Sequence, residues 1–188
     1  MPESTAPHKT DEQIASEVQA GDAASFGLLM ERYGPKMSRY AKRFLFGYED
    51  AEDQVQEVFL KAYANIQSFD PDRKFSSWLY RIAHNEFINA IKKKGREPLS
   101  FLDPDLLFPH PVGKERTDAD ANAREMRELL DCCLEKLDPK YREPLVLFYY
   151  EEMDYREIAE VLRIPVATVG VRLNRGRSAM KKHVAGKT

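Results

Sequence analysis

The sequence predicts an all-α protein: two small helical domains joined by a flexible linker, the C-terminal domain a helix-turn-helix. Three observations carry that expectation. Eleven prolines and nine glycines in 188 residues leave long stretches without a breaker. Leu, Ile, Ala, Glu, Lys and Arg fill those stretches, and alternation of Val, Ile and Thr is hard to find. Pro98, Pro104, Pro109, Pro111 and Gly113, scattered among acids between Glu97 and Asp120, mark a linker. The expected division is a disordered tail over 1–10, a first domain over 11–96, the linker over 97–120 and a second domain over 121–188. Hydrophobic residues, 43% of the chain, suffice for packed cores, and 32% charged residues suit a soluble helical protein.

Helical patterning begins at Asp11 and is punctuated at Gly21-Asp22, where Asp22 is placed to cap the next helix. That helix carries Phe26, Leu29, Met30, Tyr33, Met37 and Tyr40 as one apolar stripe. Pro35 within it predicts a kink or break near Gly34-Pro35. A third helix, from about Glu49, gathers Ala51, Val55, Val58, Phe59 and Ala62 on one face. The loop Ser68-Phe69-Asp70-Pro71-Asp72 leads into a helix from about Phe75 to Lys94. Beyond the linker come a helix near 121–137, a helix opened by Asp138 as cap and Pro139 as first residue, and short helices to about His183.

The sharpest local signal runs from Asp154 to Leu173. Asp154 and Glu157 form a capping box, and Ile158, Ala159 and Leu162 face inward. A turn at Arg163-Ile164 and a second helix started by Pro165 follow, with Val166, Val169 and Leu173 inward. Gly170, Asn174, Arg175 and Arg177 are left facing out. This is helix-turn-helix spacing, with a second helix sized for a DNA major groove. Arg175 and Arg177 suit phosphates or guanine edges, Asn174 suits adenine, and Lys181 and Lys182 suit phosphates. Charge agrees. The net charge is −2, yet from Val161 onward there is no acid, while Glu49–Glu57 holds five acids and no base. Lys92, Lys93, Lys94 and Arg96 form a second basic run.

Other chemistries find little footing. There is no phosphate-cradling glycine loop and no metal-ligand spacing, and His8, His84, His110 and His183 are far apart. No metal, no cofactor and no catalytic site are expected. Cys132 and Cys133 are adjacent, which argues against a structural disulfide; a redox role is the less favoured alternative. No signal-peptide core and no run of eighteen apolar residues occurs, so no membrane insertion and a cytoplasmic location are expected. A stand-alone helix-turn-helix regulator accounts for the C-terminus but leaves the acidic helix without a role.

Three motifs, in order, resemble extracytoplasmic-function sigma factors. Asp50-Ala-Glu-Asp-Gln-Val-Gln-Glu-Val-Phe-Leu-Lys-Ala-Tyr63 is similar to their polymerase-binding stretch. Phe75-Ser-Ser-Trp-Leu-Tyr-Arg-Ile-Ala-His-Asn85 is similar to their promoter-melting segment. Thr168-Val and Arg172-Leu-Asn-Arg-Gly-Arg177 are similar to their −35 reader. The resemblance implies a monomeric specificity subunit of bacterial RNA polymerase, without catalysis of its own. Its implied partners are the coiled coil of the polymerase's largest subunit, promoter DNA and an anti-sigma factor. The implied polymerase-binding residues are Asp53, Gln56, Glu57 and Phe59, an acidic strip suited to a basic protein partner. The implied −10 set is Phe69, Asn85, Asn89, Lys92, Lys93 and Arg96. In it Phe69, taken as an exposed loop residue, either stacks a splayed base or belongs to the core, and Asn85 reads a base edge. Trp78 is read as core. The implied −35 set is Gly170, Val171, Arg172, Asn174, Arg175, Arg177 and Lys181. Gly170 and Val171 depart from the family's usual basic residue and Ser, so the −35 sequence is left open. The acidic linker suits either a spacer or a nucleic-acid mimic in the polymerase cleft.

Overall fold

In a computed structural model, residues 9–45, 50–94 and 133–185 are described, and the expected linker lies outside them. Among these residues there are seven α-helices and no strand. They are α1 (Asp11–Gln19), α2 (Phe26–Phe44), α3 (Ala51–Ala64), α4 (Phe75–Lys94), α5 (Pro139–Tyr149), α6 (Tyr155–Leu162) and α7 (Val166–Ala185).

Local capping starts α1: Gln13 N donates to Thr10 Oγ1 at 3.2 Å while Gln13 Oε1 accepts from Thr10 N at 3.0 Å. The helix buries Ile14, Ala15 and Val18 and ends before Gly21, whose φ of +107° favours glycine. Asp22 does not cap α2; its carboxylate accepts from the Ser25 hydroxyl at 2.8 Å instead. Nor does Pro35 break α2, which is one helix from Phe26 to Phe44. Pro35 and Glu31, four residues earlier, both lie on the exposed face of α2, so the carbonyl that proline leaves without its helical donor is on the solvent side. Met30, expected on the inward stripe, is exposed.

Helices α2, α3 and α4 pack on one another around Tyr33, Met37, Tyr40, Phe44, Val58, Leu79 and Phe87. Two side chains of α1 hold the loop that leads into α4. Gln19 Nε2 donates to the carbonyls of Ile66 and Phe69, both at 2.8 Å, and Glu12 Oε1 accepts from the Phe75 amide at 3.0 Å. The polar residues of a short N-terminal helix thereby fix where α4 begins.

In the C-terminal part, Asp138 caps α5 by accepting from the Lys140 amide at 3.0 Å, with Pro139 as first residue. Asp154 and Glu157 form the expected capping box on α6. Helix α6 ends at Arg163 in the left-handed conformation, and the carbonyl of Pro165 accepts the first amides of α7. Pro165 therefore precedes α7 rather than opening it. Close packing of α5 on α7 depends on Gly176, where a β-carbon would sit 2.8 Å from Leu145 Cδ1 and 3.3 Å from the Tyr141 carbonyl. Gly176→Ala is expected to cost about 1–3 kcal/mol despite the better helix propensity of Ala. Thermal unfolding checks this, and an unchanged or raised Tm would contradict it.

The two parts pack together, α2 against α5 and α4 against α6, and share one hydrophobic cluster. They form a single closed body, whereas the sequence suggested only a tether.

Candidate DNA and polymerase interfaces

Helix α3 turns its apolar stripe inward and leaves Asp53, Gln56 and Glu57 exposed. Phe59, expected among the binding residues, is buried and supports the strip from beneath. Sequence reasoning missed Leu60 and Tyr63, which are 63% and 44% exposed and continue the same face. Their spacing from Gln56 and Glu57 was a usable signal, since residues three and four apart share a helix face. The α3 surface is therefore acidic at one end and apolar at the other, with Tyr63 edge-on to Phe26 at 5.1 Å between ring centroids.

On α4, Asn85, Asn89, Lys92 and Lys93 are all exposed, and their spacing places them in one row. Arg96, the linker and the side chain of Lys94 lie outside the described residues. Phe69 is not the exposed aromatic expected. It is 4% exposed, its ring centroid 5.4 Å from that of Phe75 and 5.5 Å from that of Trp78. The reason is anchorage: Gln19 holds the Phe69 carbonyl, and the ring completes an aromatic core beneath the loop. Trp78 is core, as expected. The loop presents Arg73 and Lys74 to solvent instead.

In the helix-turn-helix, Asn174, Arg175 and Lys181 are exposed. Arg177 is half-buried: its Nε donates to the Tyr149 hydroxyl at 2.9 Å and its Nη1 donates to Asn174 Oδ1 at 3.1 Å. It therefore orients Asn174, a pairing three residues apart that the pattern did contain. Gly170 and Val171 do not face out, as had been expected; both are buried, and Arg172 is half-buried. The charges of Arg172 on α7 and Arg163 in the turn both act against protonation of His84 on α4.

A buried polar cluster joins the two parts. Glu143 of α5, 3% exposed, accepts from the Tyr40 hydroxyl and lies 2.7 Å from His84 Nδ1. Arg142 Nη1 donates to the Phe44 carbonyl at 2.9 Å, and its Nη2 donates to the Leu137 carbonyl at 2.8 Å. Tyr80 donates to Glu151. Burial pushes the Glu151 carboxyl above the usual range, against the Tyr80 hydrogen bond and the charges of Arg39, Lys36 and Arg43. Burial alone would lower the basicity of His84; the charge and hydrogen bond of Glu143 more than offset it and hold the imidazole above its ordinary 6.5. The facing groups are Glu143 on α5, Arg172 on α7 and Arg163 in the turn. Because the folded value is raised, the stabilisation is fully present below pH 6.5 and is lost as pH rises through the folded value. The Tm difference between wild type and His84→Gln is thus expected to be largest in mild acid and to shrink in alkali. A difference that grows with pH would contradict this.

Among the described residues no group of His, Cys, Asp and Glu is placed to hold a metal ion, and no helix is long and apolar enough to cross a membrane. Cys133 is buried, and Cys132 lies outside the described residues.

Comparison with known proteins gives a consistent result. Residues 29–97 match the family model for Sigma-70 region 2, and residues 127–180 match that for Sigma-70, region 4. The chain is 38% identical over 176 residues to the ECF RNA polymerase sigma factor SigW of Bacillus subtilis, covering 89% of this chain and 93% of SigW. It is 34% identical over 182 residues to the ECF RNA polymerase sigma-E factor of Escherichia coli K12, covering 93% and 94%. Among solved structures it is similar to CnrH in complex with the cytosolic domain of CnrY. The TM-score is 0.70 and the identity 26%, with 96% of this chain and all of that one covered.

Proposed function

Since the chain belongs to the extracytoplasmic-function sigma factors of the sigma-70 family, we propose that it directs bacterial core RNA polymerase to promoters through three separate surfaces. Asp53, Gln56 and Glu57, extended by Leu60 and Tyr63, dock on a basic partner surface of core polymerase. The acids steer the encounter and the apolar end anchors it. Asn85 and Asn89 read base edges of the −10 strand, while Lys92, Lys93 and Arg96 hold its phosphates. Helix α7 enters the −35 major groove, with Asn174 and Arg175 at base edges and Lys181 on the backbone.

The observation that carries this reading is the exposed α4 row of Asn85, Asn89, Lys92 and Lys93. A duplex-reading regulator has no use for a second surface of amides and cations on a separate helix. Residues 11–96 and 121–188 act as the two DNA-reading units, with 97–120 as their connector. Catalysis belongs to the polymerase, and the work is done in the cytoplasm. CnrH is held by the cytosolic domain of CnrY, which supports an anti-sigma partner here.

Permanganate footprinting tests the reading. With core polymerase and the chain together, thymines at the −10 element become reactive, and Asn85→Ala with Asn89→Ala suppresses them while polymerase binding persists. Thymine reactivity that is independent of the chain would overturn it.

A further inference from the structure

On the surface assigned to −35 DNA, one side chain is held from behind. Gly176 lets α7 lie close on α5, and the next residue, Arg177, reaches the C-terminal end of α5. There its Nε donates to the Tyr149 hydroxyl at 2.9 Å. The guanidinium carbon lies 5.9 Å from the centroid of the Phe148 ring and 5.8 Å from that of Tyr149. These rings are themselves fixed: Tyr149 is 8% exposed, and Phe148 packs edge-on to both Tyr149 and Tyr155. Arg177 is thus half-buried and anchored, while its Nη1 donates to Asn174 Oδ1 at 3.1 Å.

That contact decides which way the Asn174 carboxamide is turned. A guanidinium carries donors and no acceptor, so the Asn174 atom facing Arg177 is the oxygen and not the nitrogen. A carboxamide with both groups free pairs with adenine, its oxygen accepting from N6 and its nitrogen donating to N7. At Asn174 the oxygen already accepts from a cation, a stronger bond than a neutral amine offers. What this exposed side chain has left to present is its NH2, a pair of donors. Such a group suits a base edge made of acceptors. Guanine offers two, O6 and N7, whereas adenine sets an amino group beside its N7, donor against donor. Residues three apart on a helix meet easily and hold each other weakly when both are free in solvent. Here one of the two is tied to a second helix, so the pair is set before DNA arrives.

We propose, on the reading of α7 as the −35 helix, that Arg177 anchored by Tyr149 is a positioning residue that makes Asn174 a hydrogen-bond donor, so that the base Asn174 meets is guanine rather than adenine. Arg177 acts through Asn174 and touches no base itself.

The test uses polymerase reconstituted from core enzyme and the full chain, on templates randomised through the −35 element, with the transcribed templates sequenced. Asn174→Ala identifies the position read, as the one whose base preference it flattens. Wild type is expected to favour guanine over adenine there by about tenfold. Arg177→Met keeps an apolar stem and removes the donors. It is expected to shift that preference at least about tenfold toward adenine and to leave flanking positions as they were. Tyr149→Phe removes only the anchoring hydroxyl and is expected to reduce the guanine preference about threefold. A wild-type preference for any other base at that position overturns the proposal, as does an Asn174→Ala chain with every preference intact. Weaker initiation by Arg177→Met with unchanged base preference overturns the positioning role and leaves Arg177 a packing or phosphate contact. An unchanged preference in Tyr149→Phe overturns the anchor. If Arg177→Met loses its helical circular dichroism, Tyr149→Phe decides by the same readout. If no template initiates with any chain, the sigma reading fails, and the preference is read instead from random duplexes captured by the full chain alone.

Discussion

Asp53→Arg is expected to weaken binding to core polymerase by at least about a hundredfold, or ~3 kcal/mol. The substitution puts a cation beside the exposed Gln56 and Glu57, where a basic partner surface must approach. It changes the interface by two charge units, and like-charge juxtaposition costs several kcal/mol when solvent is excluded. Asp53 is exposed near the start of α3, so the loss of its favourable interaction with the helix dipole costs the fold under about 1 kcal/mol. Titration against labelled core polymerase, with thermal unfolding as control, separates the two effects. Leu60→Ala tests the apolar end of the same strip and is expected to lose about tenfold in affinity, again with little change in Tm. Unchanged affinity in Asp53→Arg would remove α3 from the interface.

The second large effect is on stability. Arg142→Ala is expected to destabilise the chain by about 3 kcal/mol, lowering Tm by ~6–12 °C. Arg142 is 3% exposed, and its guanidinium serves carbonyls on both sides of the seam, Phe44 in α2 and Leu137 before α5, with Glu135 further off at 3.3 Å. Truncation strands these acceptors and leaves a void between α2 and α5. Arg142→Lys restores the charge but not the fork, so less than half of the loss is recovered. Calorimetry checks the series, and a loss under about 1 kcal/mol for Arg142→Ala would show that water replaces the guanidinium.

What was legible in the sequence was local. The capping box of Asp154 and Glu157, the Asp138-Pro139 start and the span of α4 involve residues a few positions apart, and backbone chemistry decides them on the spot. The outward acidic strip on α3 followed from helical spacing, whereas Asn85, Asn89, Lys92 and Lys93 were singled out by the family resemblance, and the folded chain shows them exposed on α4. Other features depended on distant partners. Phe69 is buried because Gln19, far back in α1, holds its carbonyl and because Phe75 and Trp78 offer it a surface. Pro35 stays within a helix because it and Glu31, whose carbonyl loses its helical donor, lie on the solvent face of α2. Gly170 and Val171 are covered, and Glu143, which looks like an ordinary charged helix residue, becomes the most enclosed carboxylate of the seam. No periodicity announces a contact between residues 40, 84 and 143; each comes from a different helix, and only the folded chain brings them together.

Promoter selection by this chain is tested most directly by run-off transcription with core polymerase and the purified chain on a library of genomic fragments. Initiation is expected at discrete start sites that share two upstream elements, absent without the chain and lost with Asp53→Arg or Arg175→Ala. Selective binding of the chain to duplex DNA, with no affinity for core polymerase and no initiation, would contradict it.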